Sequence, residues 1–230
     1  MLISHVPNSL NKLVKSVLWR VPAKGQKKKV YLTFDDGPHP HLTPWVMAQL
    51  KEAGNLKATF FCVGENALEH PDLLQQLRDE GHEVANHSNS HESGWSTSIK
   101  SYLRSFLKCE NALGNTNKFR PPYGRITPPQ ANALSSRTQV VMWDVLSGDC
   151  NRSNSGADCL KSLKQLTRAG SIVVFHDSDK AASRLLYALP AYLKWLKKNG
   201  YHVGLLPEKA TSSEVSGSLI ISKKLSTPFS

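Results

Sequence analysis

The chain has 230 residues, of which 40 % are hydrophobic and 20 % charged, with a formal net charge of +11. That is enough apolar material for one domain's core, yet the longest apolar runs, such as Ile172 to Phe175, fall far short of the roughly 20 residues a membrane-spanning helix needs. The charge argues against a nucleic-acid face once it is mapped: seven basic residues and no acid precede Val30, three lysines against Glu214 follow Glu208, and the stretch between carries only +2.

In chain order, residues 1–29 read as a basic amphipathic extension. Asn8 or Ser9 can cap a helix whose Leu10, Leu13, Val14, Val17 and Leu18 fall on one face, with Pro22 ending it. Such a helix either covers one end of the domain core or lies, through residues 8–20, on an anionic membrane. The cover is favoured, because so short a helix needs a partner. The chain then alternates: strand Val30–Phe34, helix Pro44–Ala53, strand Ala58–Cys62, helix Pro71–Glu80, strand Glu83–Ala85, helix Ile99–Leu113 and strand Lys118–Arg120. Helix Pro128–Ser135, strand Gln139–Trp143, helix Ala157–Thr167, strand Ser171–Phe175, helix Arg184–Lys198 and strand Tyr201–Leu205 follow. Seven strands alternating with helices imply an α/β domain over residues 30–206, with a parallel sheet and outer helices, either a barrel or an open doubly wound sheet. Residues 207–230, rich in Ser, Thr and Lys, read as a flexible tail, with Leu219 to Ile221 available for one extra edge contact.

The four cysteines, Cys62, Cys109, Cys150 and Cys159, show no CxxC spacing, which argues against a zinc finger or thioredoxin motif. Cys150 and Cys159 could bridge in an oxidising compartment, but free thiols are the commoner state without an export signal. The N-terminus lacks a signal peptide's compact apolar core, so a cytoplasmic location is expected, with a peripheral membrane location as the alternative. A monomer is the default oligomeric expectation.

The chemistry-bearing residues follow strand ends. TFDDGP, from Thr33 to Pro38, presents Asp35 and Asp36 at a turn; adjacent side chains on extended chain point to opposite sides, so the two acids take different work. NHSNSH, from Asn86, places His87 and His91 four apart after the third strand. Arg120 follows the fourth, Asp144 and Asp149 the fifth, and His176 the sixth. In parallel α/β folds these strand ends share one rim. Two histidines and a carboxylate with open positions form the pattern of a catalytic zinc site. His39 and His41 read as ordinary loop histidines rather than spare ligands, and Phe60, Phe61, Phe119 and Phe175 as core. Trp95 and Trp143 lie near the rim; either reads more simply as core, and Trp95 is the better candidate for stacking on a sugar.

Four motifs, TFDDGP, GHEVANHSNSH (81–91), RPPYG (120–124) and IVVFHD (172–177), resemble in order and spacing those of the polysaccharide deacetylase family, also called the NodB-homology domain or carbohydrate esterase family 4. The resemblance spans about residues 30–206. It implies a distorted (β/α)7 barrel and metal-dependent removal of N-acetyl groups from an amino-sugar glycan or oligosaccharide, chitin-like or peptidoglycan-like. It assigns Asp36, His87 and His91 to a divalent metal, most often Zn2+, and Asp35 as general base oriented and kept ionised by Arg120. It also assigns His176 as general acid oriented by Asp149, and the backbone N–H of Tyr123 to the oxyanion. The sequence departs from the family's fourth motif: Cys150 stands where a Trp would wall the acetyl pocket. That leaves a related hydrolase of a non-sugar amide as the alternative, and a non-catalytic carbohydrate-binding module as a weaker one. Asp144 is expected to brace the rim.

Overall fold

The computed structural model describes residues 17–23, 28–114 and 116–208. Its elements in chain order are β1 (Val17–Leu18), β2 (Lys29–Asp35), α1 (Leu42–Glu52), β3 (Thr59–Cys62), α2 (Gly64–Glu69), α3 (Pro71–Asp79), β4 (Glu83–Asn86) and α4 (Ile99–Leu113). Then come β5 (Lys118–Phe119), α5 (Pro128–Leu134), β6 (Gln139–Val141), β7 (Val145–Leu146), α6 (Gly156–Leu166), β8 (Ile172–His176), α7 (Ala182–Lys198) and β9 (His202–Val203). The strands pair in the order β1-β6-β5-β4-β3-β2-β8-β7, with β9 on the start of β2, and every ladder is parallel. The sheet curls into a barrel, because a bridge from Arg20 to Ser171 joins the chain after β1 to the chain before β8, near the opposite end of that order.

Alternation along the strands sorts side chains into two cores. Val30, Leu32 and Phe34 of β2 face outward and pack with Val46, Met47 and Leu50 of α1 and Leu185, Leu189 and Tyr192 of α7. Phe34 stacks between Phe60 at 5.0 Å and Phe175 at 5.9 Å. The alternate residues Tyr31, Phe61, Ala85, Val141 and Ile172 fill the barrel with Leu206. Each such large side chain contributes about 1.5–3 kcal/mol when fully buried. The same parity aims Asp35 and His176, the last residues of β2 and β8, into the barrel mouth, where they are register partners.

Three elements differ from the sequence pattern. Val17 and Leu18, expected at the end of a helix, instead form β1 against Val140 and Val141; β6 offers an open edge, and ladder bonds along it outweigh an amphipathic pattern without a partner helix. The rest of the expected helix falls within residues 1–16, which lie outside the described residues. The expected strand Gln139–Trp143 breaks: after β6 the Met142 N–H goes to Leu18 O at 2.8 Å and the Asp144 N–H to Ile172 O at 3.0 Å, so the run changes partners and resumes as β7 on β8. Helix α2 follows β3 where no helix is expected. At the start of the tail segment, Glu208 pairs with buried Lys118 at 3.2 Å; residues 209–230, including Leu219 to Ile221, lie outside the described residues. No described helix is long and apolar enough to cross a membrane.

Candidate active site and metal centre

Arg120, fully buried at the end of β5, reaches across the barrel interior. Its Nη1 donates to Asp35 Oδ1 at 2.6 Å and Thr33 Oγ1 at 2.7 Å, Nη2 to Met142 O at 2.9 Å and Nε to Val141 O at 3.3 Å. The guanidinium lies 4.1 Å over the Phe61 ring. The planar five-donor fork suits this multidentate setting, which a lysine could not reproduce. Asp35 is thus anchored on one oxygen at the floor of the cavity, and Arg120 is no surface ion pair.

Beside it, Asp36 occupies the left-handed backbone region, φ 84°, which turns its carboxylate away from the strand toward the histidines. Asp36 Oδ1 is 3.2 Å from His91 Nε2 and 3.7 Å from His87 Nε2. Buried His87 places Nδ1 2.8 Å from the Arg120 carbonyl; a carbonyl only accepts, so Nδ1 carries the proton and Nε2 presents a lone pair. Burial pushes His87 down to about 4, which keeps the imidazole in the neutral form a metal requires. Burial raises Asp36, but the His91 ring, followed by the charges of His176 and His87, outweighs it and holds the carboxyl well below the usual range.

One carboxylate oxygen and one nitrogen from each of His87 and His91 lie within 4.8 Å of one another. Asp36 Oδ1 is buried and faces the His91 and His87 nitrogens without a well-aligned hydrogen bond, an anion of the kind a cation satisfies. The donor set therefore fits a divalent metal with open positions. The second oxygen is oriented by Ser178, whose Oγ donates to Asp36 Oδ2 at 3.0 Å, and Asn66 Nδ2 donates to the Asp36 carbonyl at 2.7 Å.

On the neighbouring strand β8, His176 is held by buried Asp149, which receives its Nδ1–H on Oδ1 at 2.8 Å and its backbone N–H on Oδ2 at 2.9 Å. This double grip fixes the ring and leaves Nε2 as the nitrogen not engaged by Asp149. Burial lowers the His176 pKa, but the Asp149 charge and hydrogen bond outweigh it and raise the value well above that of an ordinary imidazole, with Cys150 adding in the same direction. The pairing with Asp149 thus favours the protonated ring.

A cavity of about 600 Å³ gathers Asp35, Asp36, His87, His91, Tyr123, Cys150 and His176 in its walls. Trp143 and Leu146 line it too, whereas Trp95 does not. Trp95 is 67 % exposed and connects to the mouth through Arg125, whose guanidinium lies 5.0 Å over its ring and 5.6 Å over that of Tyr123. Tyr123 in turn sits edge-on to His91 at 4.6 Å, on backbone with φ 60°. Gly124 lets Trp143 lie close: a Cβ there would come within 2.6 Å of the indole.

Of the residues outside this cluster, Asp144 holds Arg168 and Ser171, each at 2.7 Å, before β8. It braces the end of the barrel away from the rim, not the rim itself. His39 borders the cavity but spends Nδ1 on the His41 and Leu42 N–H groups and Nε2 on Asp179; neither His39 nor His41 belongs to a described metal-capable group. All four cysteines are free. Sequence reading missed the supports of the turn that carries Asp36: Ser178, Asn66 and Asp177, which takes the Gly37 N–H at 3.2 Å and the Thr43 hydroxyl. Burial pushes Asp177 up to about 7. The signal available was its position beside His176 in IVVFHD.

The polysaccharide deacetylase family model matches residues 23–140, which includes Asp35, Asp36, His87, His91 and Arg120 but not Asp149 or His176. A peptidoglycan-N-acetylglucosamine deacetylase, PgdA, from Listeria monocytogenes is 32 % identical over 90 % of this chain and 44 % of its own length. The chain thus spans under half of that relative. A chitooligosaccharide deacetylase from Rhizobium leguminosarum bv. phaseoli is 36 % identical over 66 % of this chain and 69 % of its own. The crystal structure of the Bc1960 peptidoglycan N-acetylglucosamine deacetylase superposes with a TM-score of 0.76 at 29 % identity, covering 84 % of this chain and 91 % of that one. Motifs, barrel and matched sequence agree, and the chain belongs to the polysaccharide deacetylase family.

Proposed function

We propose that the protein is a metal-dependent deacetylase that hydrolyses N-acetyl groups on an N-acetylglucosamine-containing glycan or oligosaccharide. The observation that carries the reading is the placing of two proton-handling pairs, Arg120–Asp35 and Asp149–His176, beside the Asp36, His87 and His91 donors, with Asp35, His176 and the three donors lining one cavity. The names of the relatives, which act on peptidoglycan and chitooligosaccharide, support the substrate class.

A divalent ion held by Asp36, His87 and His91, with zinc suited to this donor set, would supply Lewis acidity to the acetamide carbonyl and to water. Asp35, steadied on Oδ1 by Arg120, accepts the proton of the attacking water on its other oxygen. Tyr123 at the mouth offers its backbone N–H to the developing oxyanion. His176, held charged by Asp149, gives its Nε2 proton to the departing amine, so the amine does not leave as an anion. Trp143 and Leu146 supply apolar wall beside Cys150, a lining that suits an acetyl methyl and one face of a sugar.

The altered lining at Cys150 keeps one second reading in view, hydrolysis of a small non-sugar amide. A substrate panel separates the two. Purified zinc-loaded protein is incubated with acetylated chito-oligosaccharides, peptidoglycan glycan fragments and small acetamides or cyclic amides, and released acetate or amine is measured. Acetate from the glycans alone is expected; turnover confined to the small amides would replace the deacetylase reading.

A further inference from the structure

The cavity contains a second group of metal-capable atoms. Asp36, Cys150 and His176 each present one ligand atom, and these lie within 4.8 Å of one another. All three line the same solvent-connected cavity, so an ion can reach them. Three further observations point to a ligand here. His176 already donates Nδ1–H to Asp149 at 2.8 Å, the carboxylate–histidine support that metal-binding imidazoles carry, with Nε2 left for the ion. Asp36 keeps a buried oxygen without a well-aligned hydrogen bond, and its two oxygens allow it to bridge neighbouring ions. Cys150 contributes a free sulfur, which selects a thiophilic ion.

We propose that Asp36, Cys150 and His176 form a second, inhibitory site for a thiophilic divalent cation such as Zn2+, sharing Asp36 with the first. Occupancy displaces the Nε2 proton of His176 to solvent and takes the lone pair, and that nitrogen then cannot carry a proton to the leaving amine. The inhibitory consequence rests on the deacetylase reading, whereas the site itself does not. The protein is thus activated by one equivalent of metal and silenced by an excess.

The test is a Co2+ titration of the metal-free 230-residue protein, following thiolate-to-metal charge-transfer absorption and bound metal per chain. Wild type is expected to bind two equivalents with a charge-transfer band. His87→Ala, which lacks a ligand of the first site, should bind one and keep the band; Cys150→Ser should bind one without it. In wild type, alkylation of Cys150, mapped by peptide mass spectrometry, should slow at least about tenfold as the band appears, because a metal-committed thiolate is no longer a free nucleophile. This readout needs no variant to fold. Absence of both band and protection under excess Co2+, persistence of the band in Cys150→Ser, or its loss in His87→Ala would overturn the proposal. The deacetylase reading fails separately, if His87→Ala binds as many ions as wild type.

Discussion

Replacing Arg120 with Met keeps most of the side-chain length and removes every hydrogen bond of the guanidinium. Asp35, only 3 % exposed, is left as a buried carboxylate without its 2.6 Å partner, and the Val141 and Met142 carbonyls lose their donors. Breaking one side of a buried ion pair costs about 3–5 kcal/mol. At roughly 2–4 °C per kcal/mol for a domain of this size, the melting temperature should drop by about 6–20 °C. Asp35→Asn made on top of Arg120→Met removes the stranded charge and should recover part of the loss, giving a coupling energy of about 1.5–3 kcal/mol. Urea unfolding of the four proteins in one cycle measures it. A single-mutant cost below about 1 kcal/mol with additive effects, the behaviour of an exposed pair, would refute the view of Arg120 as the barrel's internal anchor.

Two further outcomes follow from the site. His87→Ala should lower bound zinc by one equivalent in metal analysis and abolish turnover while the fold persists in circular dichroism, since His87 supplies a ligand and its Nδ1–H caps only one carbonyl. The pH profile reports on His176, whose folded value lies well above the ordinary 6.5: kcat should hold through neutrality and fall only as the pH rises past that raised value. The stabilising contribution of the Asp149–His176 pair is full below about 6.5 and is lost over the same rise. Asp149→Asn removes the charge that raises it, so the alkaline limb of kcat should move to lower pH; an unmoved limb would assign the proton donor elsewhere.

The strands that carry the site were readable because their burial is continuous and their ends are marked by chemistry: Val30 to Asp35 runs straight into a turn, and Ile172 to Phe175 into His176. Strand β1 was not, since Val17 and Leu18 fit a helical face equally well and only the open edge of β6 decides between the two. The break after Val141 was hidden for a similar reason. VVMW reads as one apolar run, and its interruption depends on Leu18 and Ile172 taking the Met142 and Asp144 N–H groups. Individual roles followed the same division. Asp36, His87 and His91 could be paired by residue type and rim position, whereas the placement of Trp143 in the cavity and Trp95 outside it depends on Gly124 giving the indole room. The shared position of Cys150 and His176 beside Asp36 likewise depends on how β7 returns along β8.

The central claim is that Asp35 is the base beside a metal held by Asp36, His87 and His91. Its most direct test is acetate release from acetylated chito-oligosaccharides or peptidoglycan fragments by wild type and Asp35→Asn, each loaded with one equivalent of zinc, with bound zinc measured on the same samples. Wild type should release acetate, and the variant should lose about 10²- to 10⁴-fold in rate at unchanged zinc content. No acetate from zinc-loaded wild type, or equal rates from the two proteins, would contradict it.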